Sequence, residues 1–179
     1  MPIDDAARWI GRQQLAVGHS GAGPVLPQIA ARIGAGPLIF VAADVSPDTG
    51  DAELMPAEIL AGLRTLTVDG VLPRWPEWFG PGVMRELIPD PERRALITAD
   101  LPRLPLGYFE TRVPGPADWA AAGGGYMLLS DEAYGGQAAA AGARGWPVIR
   151  LPGDHLDMVT RPEAIAAAIA QLAAGLAVA

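Results

Sequence analysis

The run Pro37-Leu38-Ile39-Phe40-Val41-Ala42-Ala43 is apolar at every position. A strand of that kind is buried on both faces, which happens most readily in a parallel sheet covered by helices on either side. Three further segments read as strands: residues 15–19, 126–130 and 147–151. Helical patterns alternate with them. Residues 4–14 form one with an acidic start, suited to the helix dipole. The next would bury Ala22, Val25, Leu26, Ile29, Ala30 and Ile33, with Pro24 in its first turn and Gly34 as its cap. A third covers residues 133–143, ending near Gly145, and a terminal one starts near Pro162 with Ile165, Ile169, Leu172 and Leu176 on one face. The alternation predicts an α/β fold, a parallel sheet with flanking helices and right-handed crossovers.

Residues 45–122 interrupt it. This stretch is rich in proline, holds Trp75, Trp78 and Trp119, and has short helical patterns at residues 56–66, 81–88, 91–99 and 106–109. Strand signals resume beyond it, so it reads as a helical cap inserted between the second and third strands of a single domain spanning residues 1–179. At 50% hydrophobic and 18% charged the composition is globular. The net charge is −7 and every basic residue is an arginine, with no basic cluster, which argues against nucleic acid as a partner. The absence of cysteine excludes disulfides, thiol catalysis and thiolate metal sites. With only His19 and His155, no metal site is expected. The charged start does not resemble a signal peptide, and the alanine-rich end is too weakly apolar for a membrane span. A soluble, cytoplasmic protein with no membrane partner is the expectation.

The chemistry concentrates at three places. Ser20 stands where the first strand breaks, in Gly18-His19-Ser20-Gly21-Ala22-Gly23. Small neighbours let a serine project from a sharp strand-to-helix turn, and the Gly21 N–H at the helix start can act as an oxyanion donor. His155, in the loop Gly153-Asp154-His155 after the last strand, can reach the same sheet edge and act as general base. His19 then packs beside the nucleophile or lines its pocket. The acid that would orient the imidazole is Asp131, just after the third strand, with Glu132 and Asp44 as alternatives; Asp154 and Asp157 read as solvated. In the cap, Leu72, Trp75, Trp78, Phe79, Leu104, Leu106, Tyr108 and Phe109 either wall an apolar pocket or form the cap's own core. Arg74 and Arg103 either meet an anionic group or are solvated.

The serine corner, together with Gly145-Trp146-Pro147-Val148 and Gly153-Asp154-His155, resembles the α/β-hydrolase superfamily. More narrowly, the chain is similar to small actinobacterial α/β hydrolases with Trp- and Pro-rich caps. The resemblance implies hydrolysis or transfer of a small hydrophobic ester, thioester or amide through an acyl-serine, without a cofactor. Some members of the superfamily run lyase or cofactor-free oxidative chemistry, so the fold does not fix the substrate. The superfamily usually places about four more strands before the nucleophile, and a loop after one of them gives the second oxyanion donor. Here the pattern matches only the C-terminal part, a truncated core. The nucleophile strand then becomes a sheet edge, which invites pairing into a homodimer. Loss of one oxyanion donor costs about 10²–10³ in rate. The rival expectation is therefore a catalytically impaired hydrolase-like fragment that acts as a binding or interaction module.

Overall fold

The computed structural model describes residues 14–80 and 82–176. The helix expected over residues 4–14 lies, but for Gln14, outside them, as does Trp9. Four strands, β1 (Ala16–His19), β2 (Leu38–Val41), β5 (Gly124–Leu128) and β6 (Val148–Arg150), form an all-parallel sheet in the order β1-β2-β5-β6. The side-chain alternation of β2 explains its continuous apolar run. Leu38 and Phe40 enter one core with Tyr126, Leu128 and Trp146; Ile39 and Val41 enter the other with Met127, Ile165 and Leu172. The first core lies under α1 (Leu26–Ile33) and α6 (Asp131–Ala143), the second under α8 (Pro162–Leu176). Among the described residues no helix is long and apolar enough to cross a membrane.

Strand β5 begins two residues before its expected start. Gly124 and Gly125 pair with Leu38 and Ile39 of β2. A Cβ at Gly124 would lie 2.9 Å from the Trp146 indole, and one at Gly125 would lie 3.3 Å from Leu172. These glycines mark close packing on both faces, whereas composition alone reads them as loop. Helix α1 also departs from expectation. Residues Ser20–Val25 form a 3-10 turn, with 3.0 residues per turn instead of 3.6, and so shift the phase of the helix that follows. Leu26, Pro27 and Ala30 are buried, while Ala22, Ile29 and Ile33 face outward, the last two 47% and 59% exposed. Gly34 caps α1 in the left-handed conformation.

Between β2 and β5 lie the short helices α2 (Ala57–Leu66), α3 (Val83–Leu87), α4 (Pro91–Asp100) and α5 (Leu106–Glu110). The sequence pattern anticipates these. It does not anticipate the antiparallel ribbon of β3 (Asp51–Glu53) and β4 (Arg112–Pro114) that joins the two ends of the insertion. Gln28 of α1 donates a hydrogen bond to the Pro114 carbonyl (2.9 Å), tying the ribbon to the helix after the serine corner.

Candidate active site

Strand β1 delivers Ser20 to the C-terminal edge of the sheet with φ at 53°. Residues other than glycine rarely adopt that left-handed conformation, which costs on the order of 1–3 kcal/mol and is seen where a function requires it. The turn closes because Gly23 has no side chain. A Cβ there would collide with the Asp44 carbonyl oxygen and sit 2.9 Å from the Ala43 Cβ. Ala43 is itself held fast: the buried Tyr126 hydroxyl donates to its carbonyl (2.8 Å) and accepts from its N–H (3.2 Å). The Ser46 hydroxyl donates to the Pro24 carbonyl at 2.7 Å, fastening the turn to the chain beyond β2.

The loop after β6 brings His155 Nε2 to 2.9 Å from Ser20 Oγ. Three contacts fix that loop. The Gly153 N–H donates to the Leu129 carbonyl (3.0 Å). The His19 ring donates through Nε2 to the His155 carbonyl (2.9 Å). Asp157, expected in solvent, is instead buried, starting the short helix α7 (Asp157–Thr160). Its carboxylate accepts the Asp154 N–H (2.8 Å), the Thr160 hydroxyl (2.7 Å) and the Arg161 guanidinium. Burial acts to raise the Asp157 pKa, but these bonds together outweigh it and hold the carboxyl below its ordinary range. The His155 imidazole sits between two rings, with His19 at 4.5 Å and Tyr134 stacked at 5.6 Å and 12°. Burial, helped by His19, lowers its pKa to about 4. His155 is therefore neutral near pH 7, the state a general base needs.

The expected acid does not join it. Ser130 caps α6, its hydroxyl accepting the Ala133 N–H at 3.4 Å, so the helix starts at Asp131, two residues before its expected start. Asp131 and Glu132 become exposed first-turn residues, where the helix dipole favours negative charge. Asp131, its side chain 77% exposed, pairs with Arg150 and not with His155. Asp44 lies nearer. It faces the same cavity as Ser20 and accepts a hydrogen bond from Gln137 Nε2 (2.9 Å), and burial raises its pKa. Among the described residues no carboxylate hydrogen-bonds His155; the constellation is a Ser–His dyad.

A cavity of about 570 Å³ opens over the dyad. Gly21, Tyr134 and Asp154 line it beside Ser20 and His155, and the cap contributes Trp75, Trp78, Phe79, Leu104 and Phe109. Tyr108 is exposed and packs edge-on against Phe109, outside the lining. Leu72 and Leu106 belong to the cap's core with Leu63 and Phe109. The two readings of the cap residues thus overlap: Phe109, Trp78 and Leu104 both line the cavity and pack in the cap's core. His19 lines a second, smaller cleft of about 190 Å³ with Met84 and Leu156, which shares Ser20, Trp75 and His155 with the first. Among the described residues neither space is lined by an arginine. Arg103 donates to the Leu72 carbonyl, and the Arg74 main chain is capped by Glu77. Gly21 is the second residue of the 3-10 turn, whose first amides have no carbonyl partner within the turn. Residues the sequence reading passed over are Tyr134, Gln137 and the Asp157–Arg161 pair. A scan against models of known protein families finds no match, and a search of curated proteins finds no similar sequence.

Proposed function

We propose that this chain is a serine hydrolase of the α/β-hydrolase type, cleaving a small hydrophobic ester, thioester or amide through an acyl-serine. The observation that carries the reading is the 2.9 Å contact between Ser20 Oγ and His155 Nε2, at a left-handed corner that opens on an apolar cavity. Neutral His155 takes the Ser20 proton as Oγ attacks the carbonyl carbon, then returns it to the leaving group. The Gly21 N–H donates to the oxyanion. His19 holds the base loop, and the two adjoining apolar spaces leave room for substrate on both sides of the scissile bond. That no carboxylate among the described residues hydrogen-bonds His155 favours a second reading, a binding module that holds an apolar ligand without turning it over. Fluorophosphonate labelling separates the two: labelling of the wild type that is lost in Ser20→Ala supports the hydrolase, and unlabelled, folded wild type refutes it.

A further inference from the structure

The loop that carries His155 is folded around a carboxylate that does not touch the imidazole. The Asp157 side chain accepts the Asp154 N–H (2.8 Å), and the Asp157 N–H donates to the Asp154 carbonyl (3.1 Å). Together they close a four-residue turn at both ends, with His155 and Leu156 held between. A carboxylate as buried as this one is stable only where donors meet its oxygens. The Thr160 hydroxyl meets one oxygen (2.7 Å), and the Arg161 guanidinium shares the other with the Asp154 N–H. Arg161 also donates to the Pro152 carbonyl (3.0 Å), where the loop begins, and its own carbonyl accepts the Ile165 N–H of α8 (3.2 Å). Ile165 lies in the core on that face of the sheet, so the turn is tied to the sheet through α8. Gly153 leaves room for the arrangement: a Cβ there would collide with both the Asp157 carboxylate and the Arg161 guanidinium.

We propose that Asp157 is a positioning residue, which sets the place of His155 through the main chain of this turn and not through the ring. The inference rests on Ser20 and His155 being nucleophile and base. Among the described residues no carboxylate hydrogen-bonds the imidazole, so the ring is oriented by its surroundings and by the backbone that carries it. His19 faces it from β1, Tyr134 from α6 and Ser20 from the corner, while Asp44 and Asp154 line the same cavity. The closed turn seats His155 between the two rings, with Nε2 at 2.9 Å from Ser20 Oγ. With the Asp154 N–H released, the turn opens and the imidazole moves away from Ser20 and into water.

The test compares Asp157→Ala with Asp157→Asn by the rate of fluorophosphonate labelling at Ser20 as a function of pH. Alanine leaves the Asp154 N–H without its acceptor. Asparagine keeps one, since its amide oxygen can take that N–H while its amino group donates to the Thr160 hydroxyl. Asp157→Ala labels about 10²-fold more slowly at neutral pH, the cost of a 1 Å displacement. Its pH midpoint rises from about 4 toward 6.5, because the ring regains water. Asp157→Asn keeps the wild-type midpoint and labels at least about tenfold faster than Asp157→Ala. A loss of stability alone lowers the melting temperature and leaves the midpoint where it was. Gly153→Ala reads the same turn without altering Asp157 and stands in if Asp157→Ala does not fold: its methyl pushes the carboxylate off the Asp154 N–H and raises the midpoint likewise. A wild-type rate and midpoint in folded Asp157→Ala or in Gly153→Ala overturns the assignment while leaving Ser20 as nucleophile. So does an Asp157→Asn as slow as Asp157→Ala. Wild-type protein that fluorophosphonate does not label overturns the nucleophile itself, and the assignment of Asp157 with it.

Discussion

Gly23→Ala is the sharpest test of how the serine corner is built. The added Cβ would lie 2.9 Å from the Ala43 Cβ, about half an ångström inside ordinary contact, and closer still to the Asp44 carbonyl oxygen. Neither obstacle is a flexible side chain. Both belong to the segment that the Tyr126 hydroxyl clamps at Ala43. The 3-10 turn must therefore yield, by on the order of 1 Å, and Ser20 moves with it. Overpacking of this kind costs about 1–3 kcal/mol, and a rigid neighbour places it at the upper end. For a chain of this length that lowers the melting temperature by roughly 6–12 °C. A 1 Å displacement of the nucleophile costs about 10²-fold in rate. Thermal unfolding by circular dichroism reads the first effect, and the rate of fluorophosphonate labelling at Ser20 the second. Gly62→Ala is the control: it lies in α2 with nothing within 4 Å of its added Cβ, and should stabilise by about 0.5–1 kcal/mol. If Gly23→Ala melts within 2 °C of wild type and labels at its rate, the close approach is not what shapes the corner.

Three other outcomes are expected. Because His155 is depressed to about 4 and reacts only when neutral, labelling should persist as pH falls through 6 and 5 and be half lost near pH 4; a midpoint near 6.5, where an unperturbed histidine titrates, would contradict its burial. Asp131→Asn, which changes only a surface pair with Arg150, should keep kcat/KM within about twofold, and a loss of 10³ or more would return that carboxylate to the catalytic machinery. Among the described residues the large cavity offers Asp44 and Asp154 but no arginine, so an ester with a terminal carboxylate on its acyl chain should turn over at least ~10²-fold less efficiently than the uncharged ester of equal length; equal kcat/KM for the pair would show the acyl group binding elsewhere.

The parts of the fold that rest on strong local chemistry were legible in the sequence. The run at residues 37–43 announced a strand buried on both faces, and glycine-flanked Ser20 and the His155 loop stood out because few other groups could do chemistry. What escaped depended on contacts between distant residues. Small residues flank Ser20 on both sides, and only the approach of Ala43 and Asp44, just beyond β2, shows that Gly23 is the one the corner requires. Asp131 reads as a loop acid as long as Ser130 ends a strand, but the Ser130 hydroxyl caps α6. Ile29 and Ile33 face inward only on an uninterrupted helix, and the 3-10 turn rotates them to the outside. Tyr134 and Gln137 did leave a trace: they are the two large uncharged polar side chains in an alanine- and glycine-rich helix, spaced to share a face. Only the placement of Ser20 and Asp44 shows what that face meets.

The β3–β4 ribbon brings residues 53 and 112 side by side, so everything between them leaves and re-enters the molecule through one narrow stem. A segment delivered on such a stem behaves as a cassette. Its length can change at little entropic cost, since doubling a loop whose ends are already joined adds only about 0.6 kcal/mol. The sheet, the serine corner and the base loop all lie outside the stem, while Trp75, Trp78, Phe79 and Phe109 lie within it. Replacing residues 54–111 would therefore exchange the apolar wall of the cavity and leave Ser20, His155 and the sheet that carries them in place.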